Sequence, residues 1–147
     1  MSDPSRVTRI LVVDDSEEFR EGIGSWISSQ PRLVLAGTAR DGRQALEAAE
    51  RLRPDLVLMD AVMPGLDGFQ ATRLIKERPG APPVVILTLH DSVAARQQAW
   101  AAGADDFLAK DQVTDELPAL LRSLRGAGVK GSNPAAKDTT KTEERTT

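Results

Sequence analysis

Five short apolar runs, separated by segments whose apolar residues recur every three or four positions, constrain this chain more than any other feature. The runs are Ile10 to Val13, Leu33 to Ala36, Leu56 to Met59, Val84 to Leu89 and the weaker Phe107-Leu108-Ala109. Each has the length and apolar continuity of a strand buried on both faces. The intervening segments carry Phe19, Ile23, Trp26 and Ile27, then Ala45, Leu46, Ala49 and Leu52, then Ala71, Leu74 and Ile75, then Ala95, Ala99 and Ala102, and last Leu117, Leu120, Leu121 and Leu124. Such spacing gathers each set on one side of an amphipathic helix. Trp26 needs no role beyond its helix stripe, and Trp100 reads as core or partner contact. A strand that returns parallel to its predecessor needs a long crossover, so strict alternation of strand and helix gives an α/β fold. The expected form is a doubly wound, five-stranded parallel sheet covered by helices on both faces.

Local punctuation agrees with these boundaries. Ser16, Asp41, Asp67 and Thr114 stand where helix N-caps are expected, and Gly103 follows the fourth helix as a C-terminal stop. Pro54, Pro79, Pro82 and Pro83 mark loops leading into strands, while Gly65 and Gly68 suit a turn and a helix entry.

The chain of 147 residues is long enough for one substantial core and too short for two. Residues 1–125 are expected to form that domain, and residues 126–147, dominated by Gly, Ser, Thr, Lys and Glu, a flexible polar tail or linker. The apolar runs fall far short of the ~20 residues a membrane helix needs. The first residues lack the apolar core of a secretory signal, so a cytoplasmic location is the expectation. With no cysteine, disulfides, thiolate zinc sites and cysteine nucleophiles are excluded, and a single histidine, His90, disfavours zinc further. A net charge of -3 and a tail without aromatic residues predict no nucleic-acid binding by this chain itself.

In open parallel sheets, ligands bind beyond the carboxyl ends of the strands. There the first strand ends in Asp14-Asp15 and the third in Asp60. Three converging carboxylates repel one another unless a cation compensates them. Few protein ligands and several open water positions suit Mg²⁺. The fourth strand delivers Thr88 to the same edge and the fifth delivers Lys110. Acids, hydroxyl and ammonium together suit phosphoryl transfer, which depends on positioning and on neutralising charge, with Asp60 as the nucleophile.

The strings that hold these residues are Val12-Val13-Asp14-Asp15-Ser16, the run Met59 to Gly68 (MDAVMPGLDG), Leu87-Thr88, and the run Gly103 to Lys110 (GADDFLAK). Together, in this order, they resemble the receiver domain of two-component response regulators over residues 7–125. The last string and Asp111 are most similar to receivers of NarL/FixJ-type transcription regulators. The resemblance implies a flavodoxin/CheY-like (βα)5 fold with strand order 2-1-3-4-5. It implies phosphorylation of Asp60, direct Mg²⁺ ligation by Asp15, Asp60 and the Val62 carbonyl, and a water-mediated contact from Asp14. It further implies that Thr88 moves to meet a phosphoryl oxygen, that Lys110 pairs with the phosphoryl group, and that Phe107 changes rotamer with Thr88. A sensor histidine kinase would be the partner, and the fourth helix, fifth strand and fifth helix the switching surface, through which a homodimer would form. The output would come from a stand-alone receiver or from the receiver part of a transcription regulator.

Three departures from the family pattern bear on rates. Leu89 stands where a small residue is usual and is expected to narrow access for phosphodonors. Asp111 replaces a common proline, so a cis bond there would cost roughly 2.5 to 4 kcal/mol. Val62 and His90 flank the path of an attacking water, where only His90 has a group that can orient it. Two other readings compete. A haloacid-dehalogenase-type phosphatase also uses an aspartyl phosphate, Mg²⁺, a hydroxyl and a lysine, but places its nucleophile in an early Asp-x-Asp and adds a cap. Here Asp14-Asp15 has nothing between. A receiver-shaped binding module without chemistry would not need the complete set of acids, hydroxyl and lysine. The expectation is therefore a signalling switch and not an enzyme, with only self-phosphorylation and self-dephosphorylation.

Overall fold

A computed structural model describes residues 6–127 of the chain. In chain order its elements are β1 (Thr8–Val13), α1 (Glu17–Ser28), β2 (Leu33–Ala39), α2 (Gly42–Leu52), β3 (Leu56–Asp60), α3 (Gly68–Lys76), β4 (Val84–Thr88), α4 (Val93–Ala101), β5 (Asp106–Ala109) and α5 (Val113–Ala127), with a 3-10 turn over Lys110–Gln112. The five strands form one sheet in the order β2-β1-β3-β4-β5, with every neighbouring pair parallel. The doubly wound fold expected from the alternation is the fold observed.

Two apolar clusters lie on opposite faces of the sheet. Side chains that alternate along β1 and β3 divide between them: Leu11, Val13, Val57 and Met59 face α2, α3 and α4, whereas Ile10, Val12, Leu56 and Leu58 face α1 and α5. The period of two along each strand produces this division. Central β3 and β4 are buried throughout, as two covered faces require. The edge strands depart from expectation. Most of β2 and β5 is only partly buried, because an edge strand is packed along one side alone.

Ser16, Asp41 and Asp67 cap α1, α2 and α3 through side-chain oxygens that accept from the backbone of Phe19, Gln44 and Gln70. Ser92 does the same for α4. Gly103, at φ +91°, closes α4: its N–H donates to Trp100 O and that of Ala104 to Ala99 O, the paired bonds of a Schellman stop. Thr114 is not a cap. The 3-10 turn feeds α5 directly, Val113 is buried as its first residue, and Thr114 is exposed in the first turn. Leu74 also departs from its expected stripe, at 39% exposure, and Thr72 takes a buried place on α3 beside Ala71 and Ile75. The expected tail begins two residues too early, since α5 runs through Ala127; the rest of it lies outside the described residues.

Two contacts at the foot and top of the sheet fix its layers. Buried Asp105 accepts from Lys76 Nζ and from the Val84 N–H, each at 2.8 Å, which ties the end of α3 to the starts of β4 and β5. At the other end, a Cβ on Gly68 would lie 2.8 Å from the Asp60 carbonyl carbon, closer than side chains pack. Glycine there lets α3 begin against the backbone of β3.

Candidate functional site

Strand register brings the predicted residues to one edge. Val13 pairs with Met59, so Asp14 and Asp60 follow at the same level. Asp60 pairs with Leu87, and Thr88 with Ala109, which sets Thr88 and Lys110 one residue beyond their partners. Asp14, Asp15 and Asp60 each offer a carboxylate oxygen, and these oxygens lie within 4.8 Å of one another. Asp14 and Asp60 are buried, whereas Asp15 is exposed. Such a set of hard oxygen donors with an open side fits a divalent cation that retains water.

The Lys110 ammonium lies 2.6 Å from Asp14 Oδ2 and 3.2 Å from Asp60 Oδ1. Asp14 Oδ2 is fully buried without a hydrogen-bonding backbone group, so this ion pair compensates its charge. The other oxygen, Oδ1, accepts from the Ser16 N–H at 2.8 Å. The Lys110 ammonium also sits 4.9 Å from the centre of the Phe19 ring, within the range of a cation–π contact. Burial disfavours its charge, but the hydrogen bond to Asp14 and the charge of Asp60 outweigh burial and hold Lys110 above the usual lysine range.

For Asp60 the balance runs the other way. Burial and then the Asp14 charge raise its pKa to about 6, against the lowering effects of Lys110 and of the Val62 N–H, which donates to Oδ1 at 3.4 Å. Three acids and one ammonium leave the site with an excess of negative charge. A further cation would relieve it.

Thr88 Oγ1 donates to His90 O at 3.0 Å and accepts from the His90 N–H at 3.3 Å, so the hydroxyl is engaged with its own loop. His90 joins the site through its backbone; the residue is exposed. Val62 and Leu89 are also exposed, at 75% and 74%, so the Leu89 side chain is not packed down over the site. Phe107 is buried, 6.4 Å from the Trp100 ring in a tilted pair, and the Arg96 guanidinium lies 5.3 Å from its ring centre. All peptide bonds among the described residues are trans, including that between Lys110 and Asp111.

Phe19 and Arg96 carry no motif. Phe19 lies one turn beyond Asp15 on the helix that starts at the site, and this offset was its only signal. Arg96 stands five residues after Asp91, the carboxylate that it grips in two places.

The comparisons with known proteins agree with this geometry. The chain is 40% identical over 116 residues to the response regulator MprA of Mycolicibacterium vanbaalenii, covering 79% of this chain and 49% of that protein. It is 43% identical over 120 residues to the protein-glutamate methylesterase/protein-glutamine glutaminase of Alkalilimnicola ehrlichii, covering 80% of this chain and 31% of that one. The chain thus spans about half or less of the curated relatives it matches. The solved signal receiver domain of NarL from Mycobacterium tuberculosis superposes with a TM-score of 0.76 at 34% identity, covering 82% of this chain and 98% of that domain. The family model described as the response regulator receiver domain matches residues 10–122. That match takes in the acids just after β1 and at the end of β3, the hydroxyl at the end of β4 and the lysine just after β5, and by it the chain belongs to the response regulator receiver family.

Proposed function

We propose that the chain is a phosphorylation-dependent switch in which Asp60 accepts a phosphoryl group from the phosphohistidine of a sensor histidine kinase. The observation that supports this most is one cluster: three carboxylates within 4.8 Å of one another, with the Lys110 ammonium paired to two of them. An Asp60 oxygen attacks phosphorus, the phosphorus–nitrogen bond of the donor breaks, and its electron pair leaves with the imidazole. Asp15, Asp60 and the Val62 carbonyl, with Asp14 beside them, would hold Mg²⁺, which would neutralise the repulsion between carboxylate and phosphate. Lys110 pairs with a phosphoryl oxygen, and the Thr88 hydroxyl leaves the His90 carbonyl to donate to another. Phe107 shifts with that hydroxyl, and the surface of α4, β5 and α5 changes its affinity for partners, a second copy of this chain among them. Val62, Leu89 and His90 border the path of water and donor and so tune the lifetime of the phosphoryl group. The residues through Ala127 form the switch, and those after it act as its linker.

Incubation with a small acyl phosphate and Mg²⁺ should label the chain at one site, and Asp60→Asn should abolish the label. Undiminished labelling of that variant would refute the assignment. Sustained turnover of many phosphate esters would instead favour a phosphatase.

A further inference from the structure

The region between Thr88 and Phe107 holds an arrangement that the chemistry above leaves unused. Asp91, in the loop between β4 and α4, accepts two bonds from Arg96: Nε to Oδ1 at 2.7 Å and Nη2 to Oδ2 at 2.6 Å. Paired, parallel contacts of this kind are the strong and orienting form of an arginine–carboxylate interaction. The same guanidinium covers the Phe107 ring at 5.3 Å. Phe107 is 6% exposed with Trp100 beside it, so the guanidinium forms part of its outer cover. The charge of Asp106, on the strand that carries Phe107, adds to the attraction on Arg96.

This links two groups that the proposed switch would move. Thr88 Oγ1 donates to His90 O, one residue before Asp91. If the hydroxyl turned to a phosphoryl oxygen, the loop would lose that bond and stay tied to α4 through the Ser92 cap and the grip of Asp91 on Arg96. We infer that Arg96, gripped by Asp91, is a positioning residue that holds the loop after Thr88 and the Phe107 ring in their unphosphorylated arrangement. The inference rests on the proposed function. The pair acts as a latch: the more it favours the resting arrangement, the smaller the fraction of molecules ready to bind a phosphoryl group, and the weaker the apparent affinity. Both members are about half exposed, so the latch is modest and weakens with salt.

The test uses the full chain with beryllium fluoride, a phosphoryl mimic, and Mg²⁺, read by the fluorescence of Trp100 in a Trp26→Phe background. Arg96→Gln and Asp91→Asn should each tighten apparent affinity by about two- to fivefold, and the double variant should gain no more than either alone. Arg96→Lys keeps the charge without the fork and should fall between parent and Arg96→Gln. Raising ionic strength should tighten binding in the parent relative to Arg96→Gln. A thermal melt confirms that each variant is folded. If the parent binds and the variants bind equally or more weakly, the latch is refuted while the switch stands. If the parent itself fails to bind, the switch falls and the latch with it.

Discussion

The Lys110 ammonium bridges to Asp60 at 3.2 Å, although burial and Asp14 still raise the Asp60 pKa to about 6. One cation is too few for the negative charge that the sheet collects at this edge, and the stability of the fold depends on pH as a result.

Asp60 binds its proton more tightly in the folded chain than in the unfolded chain, where its pKa is near 4. Its contribution to stability is therefore fully present below about pH 4 and is lost as pH rises through about 6. In a chelator, Asp60→Asn should unfold at higher denaturant than the parent at pH 7, and the gap should close toward pH 4. Added Mg²⁺ should stabilise the parent more than the variant. A gap independent of pH between 4 and 8 would contradict this account.

Phe19 should matter to the chemistry more than its half-exposed position suggests. Phe19→Leu keeps most of the apolar volume but removes the ring face below Lys110, a contact of about 1 kcal/mol. Acyl-phosphate labelling should slow severalfold, and Phe19→Tyr should restore it. Equal rates for the leucine and tyrosine variants would show that the ring only fills space.

Gly68→Ala should damage the site from behind. The added methyl meets the Asp60 carbonyl, so β3 and α3 must separate at a cost of about 2 to 3 kcal/mol. Denaturant unfolding should show that loss, and labelling of Asp60 should fall with it. Gly65→Ala, with open space for a Cβ but a φ of +75°, should cost only about 1 kcal/mol and leave labelling nearly intact. Reversal of that order would show that the close approach is not what requires glycine at 68.

Asp105 should be a stability residue without a chemical role. Asp105→Ala leaves the Val84 N–H without its acceptor and the Lys76 ammonium with only the Pro82 carbonyl, and about 2 to 3 kcal/mol should be lost. Asp105→Asn, which keeps one oxygen for both donors but loses the charge, should lose about half of that. Labelling per folded molecule should be unchanged in both, and a selective loss of labelling would tie Asp105 to the site.

The layers, strand order and chemical groups were legible in the sequence because each has a local cause. Apolar continuity marked the strands, helical spacing marked α1, α2 and α5, and acids ending apolar strands exposed the site. What the sequence concealed depends on sums over the whole fold. The Thr114 cap failed because burial of Val113 and the 3-10 turn set the start of α5. Leu74 failed because only packing decides which of several apolar residues on a helix faces the sheet. Phe19 and Arg96 were silent because a ring beneath an ammonium, or a guanidinium over a ring, joins residues far apart in sequence. The resting partner of the Thr88 hydroxyl was equally hidden, since no pattern records where a hydroxyl points.

The sheet that separates the two apolar clusters also makes the molecule divisible. Phe107 anchors in the layer of α2, α3 and α4, whereas Phe19 and its neighbours belong to the layer of α1 and α5. Substitutions confined to opposite layers share no packing partners, so their energies should sum. Each layer is thus free to drift in sequence without retuning the other, and the edge where Asp14, Asp60 and Lys110 meet is where the two remain answerable to each other.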